Sequence, residues 1–210
     1  MNSTNISKRQ LERFPIYLKL LNSLSEKGIE TISSPQIAEY LGYSEEQVRK
    51  DLQDVSSSFG KPKQGRRVID LIKDISSFLG YNEVSNAILV GVGHLGQALL
   101  NYEGFKEEGL HLVAGFDVNK DIIGTKVNET PIYDLSLLEK VIKDEHIEIA
   151  IIATPSNVAF NIATRLKECG IKAIWNFAHI HLNLGENVIV ENVNLASSLA
   201  ILSHQLKINK

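Results

Sequence analysis

Three glycines that follow a short apolar run constrain the fold of this chain more than any other feature. Gly91, Gly93 and Gly96 come after the apolar residues 87–90 in G-x-G-x-x-G order, and a helix-forming stretch follows them. A second apolar run ends at Asp117, about 20 residues after the last glycine. This order of strand, glycine turn, helix, strand and acid predicts a Rossmann-type unit built on a parallel sheet.

The same glycines predict a site for an adenine dinucleotide. Gly91 permits a tight turn, Gly93 lets the backbone approach a pyrophosphate, and Gly96 lets the helix pack close to the strand. Free N–H groups and the helix dipole favour an anion at that helix N-terminus. Asp117 can accept hydrogen bonds from ribose hydroxyls and would repel a 2′-phosphate, which favours NAD(H) over NADP(H). The alternative is a glycine turn used only for close packing.

Ligands bind at the carboxyl ends of strands in open α/β sheets, so the turns after later strands extend the predicted site. The Thr154-Pro155 turn is expected to line the pocket, or else simply to start a helix with Thr154 as N-cap. Phe177 is expected either to flank a nicotinamide or to pack in the core. His94 is expected either to bind a phosphate or to face solvent. The complete predicted cofactor set is Gly91, Val92, Gly93, His94, Leu95, Gly96, Asp117, Val118, Thr154, Pro155, Asn176 and Phe177.

Residues 86–190 alternate between strand and helix patterns, which indicates a parallel sheet covered on both faces. The predicted strands are 87–91, 111–116, 148–153, 171–175 and 187–190, and the predicted helices are 95–102, 134–144, 156–168 and 195–207. We find no Ser/His/Asp, Tyr-x-x-x-Lys or metal-ligand spacing, so neither an enzyme nor a metal site is expected. His179 and His181 are interpreted as a solvated pair.

Residues 1–80 carry helical patterns punctuated by Ser and Gly. The spacing of apolar residues predicts one helix over 11–26, with Pro15 in its first turn. A shorter helix is predicted to start with Ser34 as N-cap and to end at a turn containing Gly42. Ser44 and Gln47 then form the pattern of a capping box at the start of a helix over 45–54.

Two short helices joined by a glycine turn predict a helix-turn-helix. Residues 56–67 are interpreted as a basic wing, and a helix over 68–79 is expected to end at Gly80. Residues 1–80 hold 12 Lys+Arg against 10 Asp+Glu, although the whole chain has a net charge of −3. Six of these basic residues fall within 48–67, where they would attract a phosphate backbone.

The recognition helix and the wing supply the predicted DNA contacts. Gln47 is expected to pair with adenine, and Arg49 or Lys50 with guanine, whereas the wing suits phosphates or a narrow minor groove. The alternative is a solvated charged face on a three-helix bundle. The predicted DNA-binding residues are Ser44, Gln47, Arg49, Lys50, Lys61, Lys63 and Arg66.

The bulk composition excludes several classes of protein. The chain has 210 residues, contains no run of 18 apolar residues and begins with a polar segment that lacks a signal core. A single cysteine, Cys169, excludes an internal disulfide. A cytoplasmic location without a membrane partner is therefore expected.

In this order, the motifs resemble the Rex family of redox-sensing transcriptional repressors. The matching segments are F-P-I-Y-L, I-S-S-P-Q-I-A, V-R-K-D-L, F-G-K, I-L-V-G-V-G-H-L-G-Q-A-L-L-N-Y, G-F-D-V, I-I-A-T-P, C-G-I-K-A-I-W-N-F-A and V-E-N-V-N-L. The resemblance implies a winged helix over 1–80, a Rossmann-type NAD(H)-binding domain over 81–193 and a helix over 194–210 that swaps between the subunits of a homodimer. It also implies binding to palindromic operator DNA, which NAD⁺ permits and NADH releases.

The chain departs from the family pattern at several positions. Asn usually stands where this chain has His94, and Pro where it has His179. The family's sensing network uses an Arg, a Tyr and an Asp, whose aligned positions here hold Lys19, Arg66 and Asn194. Because a neutral Asn194 distinguishes the charged nicotinamide of NAD⁺ from NADH less well than Asp would, weakened redox discrimination is expected.

Three alternatives stay open at this point. The chain could be a constitutive DNA-binding paralogue that carries a structural nucleotide, or a small NAD-dependent oxidoreductase. It could also be a regulator that binds another adenine nucleotide such as coenzyme A, although Asp117 disfavours a phosphorylated ribose.

Overall fold

A computed structural model describes residues 6–56 and 65–208. The chain divides into two compact units, Met1–Glu83 and Val84–Lys210. The elements of the N-terminal unit are α1 (Lys8–Leu11), α2 (Phe14–Glu26), β1 (Thr31–Ile32), α3 (Ser34–Leu41), α4 (Glu45–Val55), β2 (Arg66–Arg67) and α5 (Val68–Leu79). The two short strands pair antiparallel, and α2 to α5 enclose a core that includes Phe14, Tyr17, Ile37, Val48 and Leu71.

The predicted helix over 11–26 is wrong at its start, because two helices occupy this region. Pro15 has no N–H to donate to the carbonyl of Leu11, and its ring would collide with that carbonyl. The helix therefore breaks after α1 and restarts at Phe14, which places Pro15 in the first turn of α2 as predicted.

The N-cap of α3 is Ser33 and not Ser34, so that prediction is also wrong. Ser33 Oγ accepts from Gln36 N at 3.4 Å, and Gln36 Oε1 accepts from Ser33 N at 2.9 Å. Because Gln36 stands three residues after Ser33, it completes a capping box that Ser34 could not form. The turn at Gly42 is confirmed, with φ of 69° in the left-handed region.

The helix-turn-helix prediction is confirmed by α3 and α4. Ser44 caps α4, since its Oγ accepts from Gln47 N at 3.2 Å. The side chain of Gln47 faces Arg13 and not the Ser44 N–H, so the predicted capping box is only half formed. Gly80 ends α5 as predicted, with φ of 77°. The wing residues Lys61 and Lys63 lie outside the described residues.

The C-terminal unit contains a seven-stranded sheet. Its elements are β3 (Ser85–Val90), α6 (His94–Leu100), α7 (Gly104–Glu107), β4 (Leu110–Asp117), β5 (Lys126–Val127), β6 (Thr130–Asp134), a 3₁₀ turn (Leu135–Leu137), α8 (Leu138–Asp144), β7 (Ile149–Ile152), α9 (Ser156–Glu168), β8 (Ala173–Asn176), β9 (Ile189–Asn192) and α10 (Leu195–Ile208). The strand order is β5-β6-β4-β3-β7-β8-β9, and every pairing is parallel except that of β5 with β6.

The Rossmann-type prediction is confirmed, with corrections at one edge. The sequence did not predict the β5–β6 hairpin, whose turn residues Asn128 and Glu129 have φ of 44° and 66°. It also did not predict α7, and it assigned the 3₁₀ turn to the helix that follows. Within β3, Ile88 and Val90 belong to one apolar cluster whereas Leu89 belongs to another. The continuous apolar run of this strand is therefore buried on both faces of the sheet.

The last helix, α10, carries apolar side chains that this single chain leaves exposed. Leu199, Ile201, Leu202, Leu206 and Ile208 are each 57–68% exposed. In the described part of the chain, no helix has the length and apolar character that crossing a bilayer requires.

Candidate functional site

The carboxyl ends of β4, β3 and β7 meet at one edge of the sheet. Gly91 N donates to Phe116 O at 2.8 Å, and Ala153 N donates to Val90 O at 2.8 Å. These bonds place the glycine loop between the residue that ends β4, Asp117, and the turn that follows β7. This is the edge at which open α/β sheets bind ligands.

The three glycines differ in the space around them. Gly91 has φ of +96°, and a Cβ there would lie 2.6 Å from Ala153 O. A Cβ at Gly96 would lie 2.0 Å from Gly91 O, whereas a Cβ at Gly93 would meet nothing within 4 Å. Gly91 and Gly96 are therefore required by the turn and by the packing of α6. Gly93 instead leaves an open cradle at the start of that helix.

Asp117 holds the glycine loop from the side of β4. Its Oδ2 accepts from Val92 N at 2.6 Å, and its Oδ1 accepts from Val118 N at 2.7 Å and Asn119 N at 2.9 Å. A carboxylate offers about four lone-pair sites, so these three bonds leave room for a ribose hydroxyl. Val118 is exposed beside the carboxylate.

Thr154 borders the loop from the side of β7. A Cβ at Gly91 would lie 2.9 Å from its Cγ2, and its Oγ1 is buried without a hydrogen-bond partner. The alternative of Thr154 as a helix cap is wrong, because Pro155 is the N-cap residue of α9. A buried hydroxyl without a partner is costly, so it fits a site that a polar ligand completes.

The remaining predicted cofactor residues fall into two groups. His94 and Leu95 are the first residues of α6, and both are exposed. Asn176 is fully buried. Its Nδ2 donates to Ile180 O and Asn192 Oδ1, and its Oδ1 accepts from Ala178 N. These bonds hold the 177–182 loop, so any effect of Asn176 on a ligand would come through that loop. Phe177 is partly buried and meets Trp175 edge to face, with ring centroids 4.5 Å apart and ring planes at 61°.

A cavity of about 250 Å³ lies at the carboxyl ends of β8 and β9. Its lining includes His179, His181 and Asn194, so two departures from the family pattern share one cavity. Asn194 caps α10, since its Oδ1 accepts from Ser197 N at 3.0 Å. Among residues 6–56 and 65–208, no three His, Cys, Asp or Glu side chains are grouped as metal ligands would be.

In the N-terminal unit, most of the described residues predicted to bind DNA are exposed. Ser44, Arg49 and Lys50 lie at the surface of α4, where Arg49 pairs with Glu45. Arg66 is partly buried and donates through Nη1 to Leu52 O at 3.1 Å, so it also binds the carboxyl end of α4. Burial lowers the pKa of Arg66, and the charge of Asp74 opposes that shift. Lys19, assigned to the sensing network, is exposed on α2.

Sequence reasoning missed a polar network that joins α1, α2 and the turn between them to α4. Arg13 binds Asp51 through two bonds, Nε to Oδ2 at 2.6 Å and Nη2 to Oδ1 at 2.7 Å. Tyr17 donates to Asp51 Oδ2 at 2.7 Å, and burial, followed by this hydrogen bond, raises the Tyr17 pKa. Gln10 Nε2 also donates to Asp54 Oδ2 at 2.6 Å. Arg13 and Asp51 stand far apart in sequence, so no local pattern pairs them.

Comparison with known proteins covers both units. One family model, described as "Putative DNA-binding protein N-terminus", matches residues 5–53, and another, described as "CoA binding domain", matches residues 82–180. The redox-sensing transcriptional repressor Rex of Clostridioides difficile (strain 630) is 39% identical over 210 residues, which is 100% of both chains. The protein of the same name from Treponema denticola is 40% identical over 200 residues, 95% of each chain.

Solved structures match over nearly the whole chain as well. A crystal structure of RSP in complex with beta-NAD⁺ and operator DNA has a TM-score of 0.91 and 35% identity, and covers 99% of this chain and 95% of that one. RSP in complex with beta-NADH has a TM-score of 0.86 and 35% identity, with coverage of 99% and 97%. A further RSP structure is described as that of a Rex-family repressor.

Proposed function

We propose that this chain, which belongs to the Rex family of redox-sensing transcriptional repressors, represses transcription by binding operator DNA under the control of NAD(H). The observation that carries the proposal is the glycine loop between Asp117 and Thr154. There, Gly93 leaves open space, and the buried Thr154 hydroxyl has no protein partner. The same chain carries a capped helix-turn-helix with an exposed basic face.

The residues at the loop suit a dinucleotide. Val92, Gly93, His94 and Leu95 would surround the pyrophosphate, and Asp117 would accept from the adenosine ribose. NAD(H) supplies a nicotinamide that is cationic when oxidised and neutral when reduced. A ligand shifts a protein between two states only through its different affinities for them, so discrimination requires groups that respond to this charge.

Coenzyme A is the second candidate ligand because the matched family model carries that description. Its ribose bears a phosphate, and the Asp117 carboxylate at the end of β4 would repel such a group. NAD(H) therefore remains the ligand that this site fits best.

We infer a homodimer on palindromic DNA. The exposed leucines and isoleucines of α10 offer an apolar surface that a second copy would cover. Twofold symmetry would place two α4 helices on two half-sites. The proposed role is regulatory and not enzymatic, and the cytoplasm, which holds the operator, is where it would act.

The test is the affinity for a palindromic operator duplex at fixed salt, titrated with NADH against a background of NAD⁺. We expect NADH to raise the dissociation constant about tenfold or more, as typical allosteric coupling does. Tight binding that ignores the NADH/NAD⁺ ratio would contradict redox control and support the constitutive paralogue. Turnover of a hydroxy or keto substrate would support the oxidoreductase.

The Asn194→Asp substitution is expected to restore charge discrimination. Asp is as good an N-cap as Asn, so α10 should keep its start while the cavity gains a carboxylate. We expect NAD⁺ affinity to rise relative to NADH affinity by about fivefold, because the added charge attracts the oxidised ring. Calorimetric titration of both nucleotides measures the ratio.

Asn183→Asp provides the control for added charge. Asn183 is exposed, and its Oδ1 accepts from Gly185 N in a turn of the same unit. This variant should leave the NAD⁺/NADH affinity ratio unchanged. An unchanged ratio in Asn194→Asp as well would show that this position takes no part in sensing.

A further inference from the structure

We propose that Asp134 makes the nucleotide site selective for adenine by accepting a hydrogen bond from the exocyclic amine of the base. This inference rests on the proposed binding of NAD(H) and adds a specificity-determining residue to it. The cofactor residues predicted from sequence do not include Asp134.

The order of the strands places Asp134 where the base of a bound dinucleotide should lie. The pyrophosphate is proposed at the glycine loop after β3, and the adenosine ribose at Asp117, which ends β4. The next strand in the same direction is β6, and its last residue, Asp134, pairs in register with Asp117. Neighbouring strands lie about 4.8 Å apart, so a base attached to that ribose comes within reach of Asp134.

The two carboxylates have the same local geometry. Asp117 Oδ1 accepts from Asn119 N at 2.9 Å, and Asp134 Oδ1 accepts from Ser136 N at 2.8 Å. In both turns the donor stands two residues after the aspartate, which folds each side chain over the carboxyl end of its own strand. Asp134 is therefore held at the ligand-binding edge of the sheet, and its bond to Ser136 leaves acceptor sites for a ligand.

The surroundings of Asp134 suit a flat ring that carries a donor on its rim. Val118, the residue after Asp117, is 72% exposed and offers an apolar surface to the face of a base. Hydrogen bonding by the side chain and backbone of Ser136 lowers the pKa of Asp134, and the charge of Lys120 lowers it further. Asp134 is therefore ionised at neutral pH, and an ionised carboxylate can only accept.

An acceptor at this position distinguishes between purine bases. Adenine carries an amine at C6, whose N–H groups can donate to the carboxylate. Guanine and hypoxanthine carry a carbonyl oxygen at the same atom, which the negative charge of Asp134 would repel. NADH should therefore bind more tightly than the analogue in which hypoxanthine replaces adenine.

The test compares the affinity of the full chain for NADH with its affinity for reduced nicotinamide hypoxanthine dinucleotide, both measured by nucleotide fluorescence. Wild type is compared with Asp134→Asn and Asp134→Ser. Asp134 is the N-cap of the 3₁₀ turn, and both Asn and Ser are good N-caps, so the turn should be kept. Circular dichroism reports whether each variant is folded.

Asp144→Asn is the control for the loss of one negative charge. Asp144 is exposed and is the last residue of α8, which ends before the amino end of β7. The substitution therefore removes the same charge at the opposite edge of the sheet.

We expect wild type and Asp144→Asn to bind NADH about tenfold more tightly than the hypoxanthine analogue. In Asp134→Asn, the amide oxygen must keep the bond to Ser136 N, so the NH₂ group faces the base. The preference for adenine should then vanish or reverse, because this donor meets the adenine amine but pairs with the carbonyl of hypoxanthine. Asp134→Ser is too short to reach the base and should show no preference.

The inference fails, with NAD(H) binding intact, if wild type does not prefer NADH to the analogue. It also fails if a folded Asp134→Asn or Asp134→Ser keeps the wild-type preference, or if Asp144→Asn loses it. A folded wild type that binds neither nucleotide would overturn the proposed function itself.

Discussion

The Gly96→Ala substitution is expected to lower the free energy of unfolding of the Val84–Lys210 unit by about 3 kcal/mol and to abolish NAD(H) binding. The added Cβ would lie 2.0 Å from Gly91 O and 3.1 Å from Leu89 Cδ2. The first of these atoms belongs to the backbone of Gly91, whose N–H is bonded to Phe116 O, so it cannot rotate away as a side chain could. Relief therefore requires α6 to move off β3, which would carry the helix start away from the pyrophosphate.

Gly93→Ala is the matched control, three residues earlier in the same loop. Its Cβ would enter open space, and Gly93 has φ of −72°, which any residue adopts. We expect the free energy of unfolding to fall by less than about 1 kcal/mol, because Ala is a poorer N-cap than Gly. We also expect a clear loss of nucleotide affinity, because the added methyl group would occupy the open space proposed for the pyrophosphate. Chemical denaturation and NADH titration measure both quantities. Wild-type nucleotide affinity in Gly96→Ala would contradict the packing role given to this glycine.

The contrast between these glycines shows what sequence could predict about the nucleotide site. The spacing of Gly91, Gly93 and Gly96 predicts their roles because turn geometry and close packing act within a few residues. The burial of the Thr154 hydroxyl without a hydrogen-bond partner could not be predicted, because it depends on how β7 lies beside β3. The β5 strand was also missed, since two residues are too short to show a period of two.

The N-terminal unit shows the same limit of prediction from sequence. Ser44 and Gly42 are local signals, and both act as predicted at the ends of helices. The pairing of Asp51 on α4 with Arg13, the N-cap residue of α2, has no such local signal. A polar side chain on a recognition helix can therefore be placed from sequence, whereas its partner depends on tertiary contacts.

Asp51→Ala is expected to abolish operator binding and to lower the free energy of unfolding of the Met1–Glu83 unit by about 4 kcal/mol. The Asp51 carboxylate is 2% exposed, and its loss would leave the Arg13 guanidinium with an uncompensated charge. Arginine cannot shed its proton to escape this cost. The same substitution would remove the acceptor of the Tyr17 hydroxyl, and with it a polar contact between α2 and α4.

Asp70→Ala separates this effect from the simple loss of a carboxylate. Asp70 pairs with Arg67 at 3.6 Å on the surface, where its side chain is 47% exposed, so the substitution should cost less than about 1 kcal/mol. Both variants change the net charge equally, which keeps the long-range attraction to DNA the same. The affinity for NADH reports on the Val84–Lys210 unit and should keep its wild-type value in both variants. Equal operator affinity in the two variants would mean that the buried network does not hold the recognition helix in place.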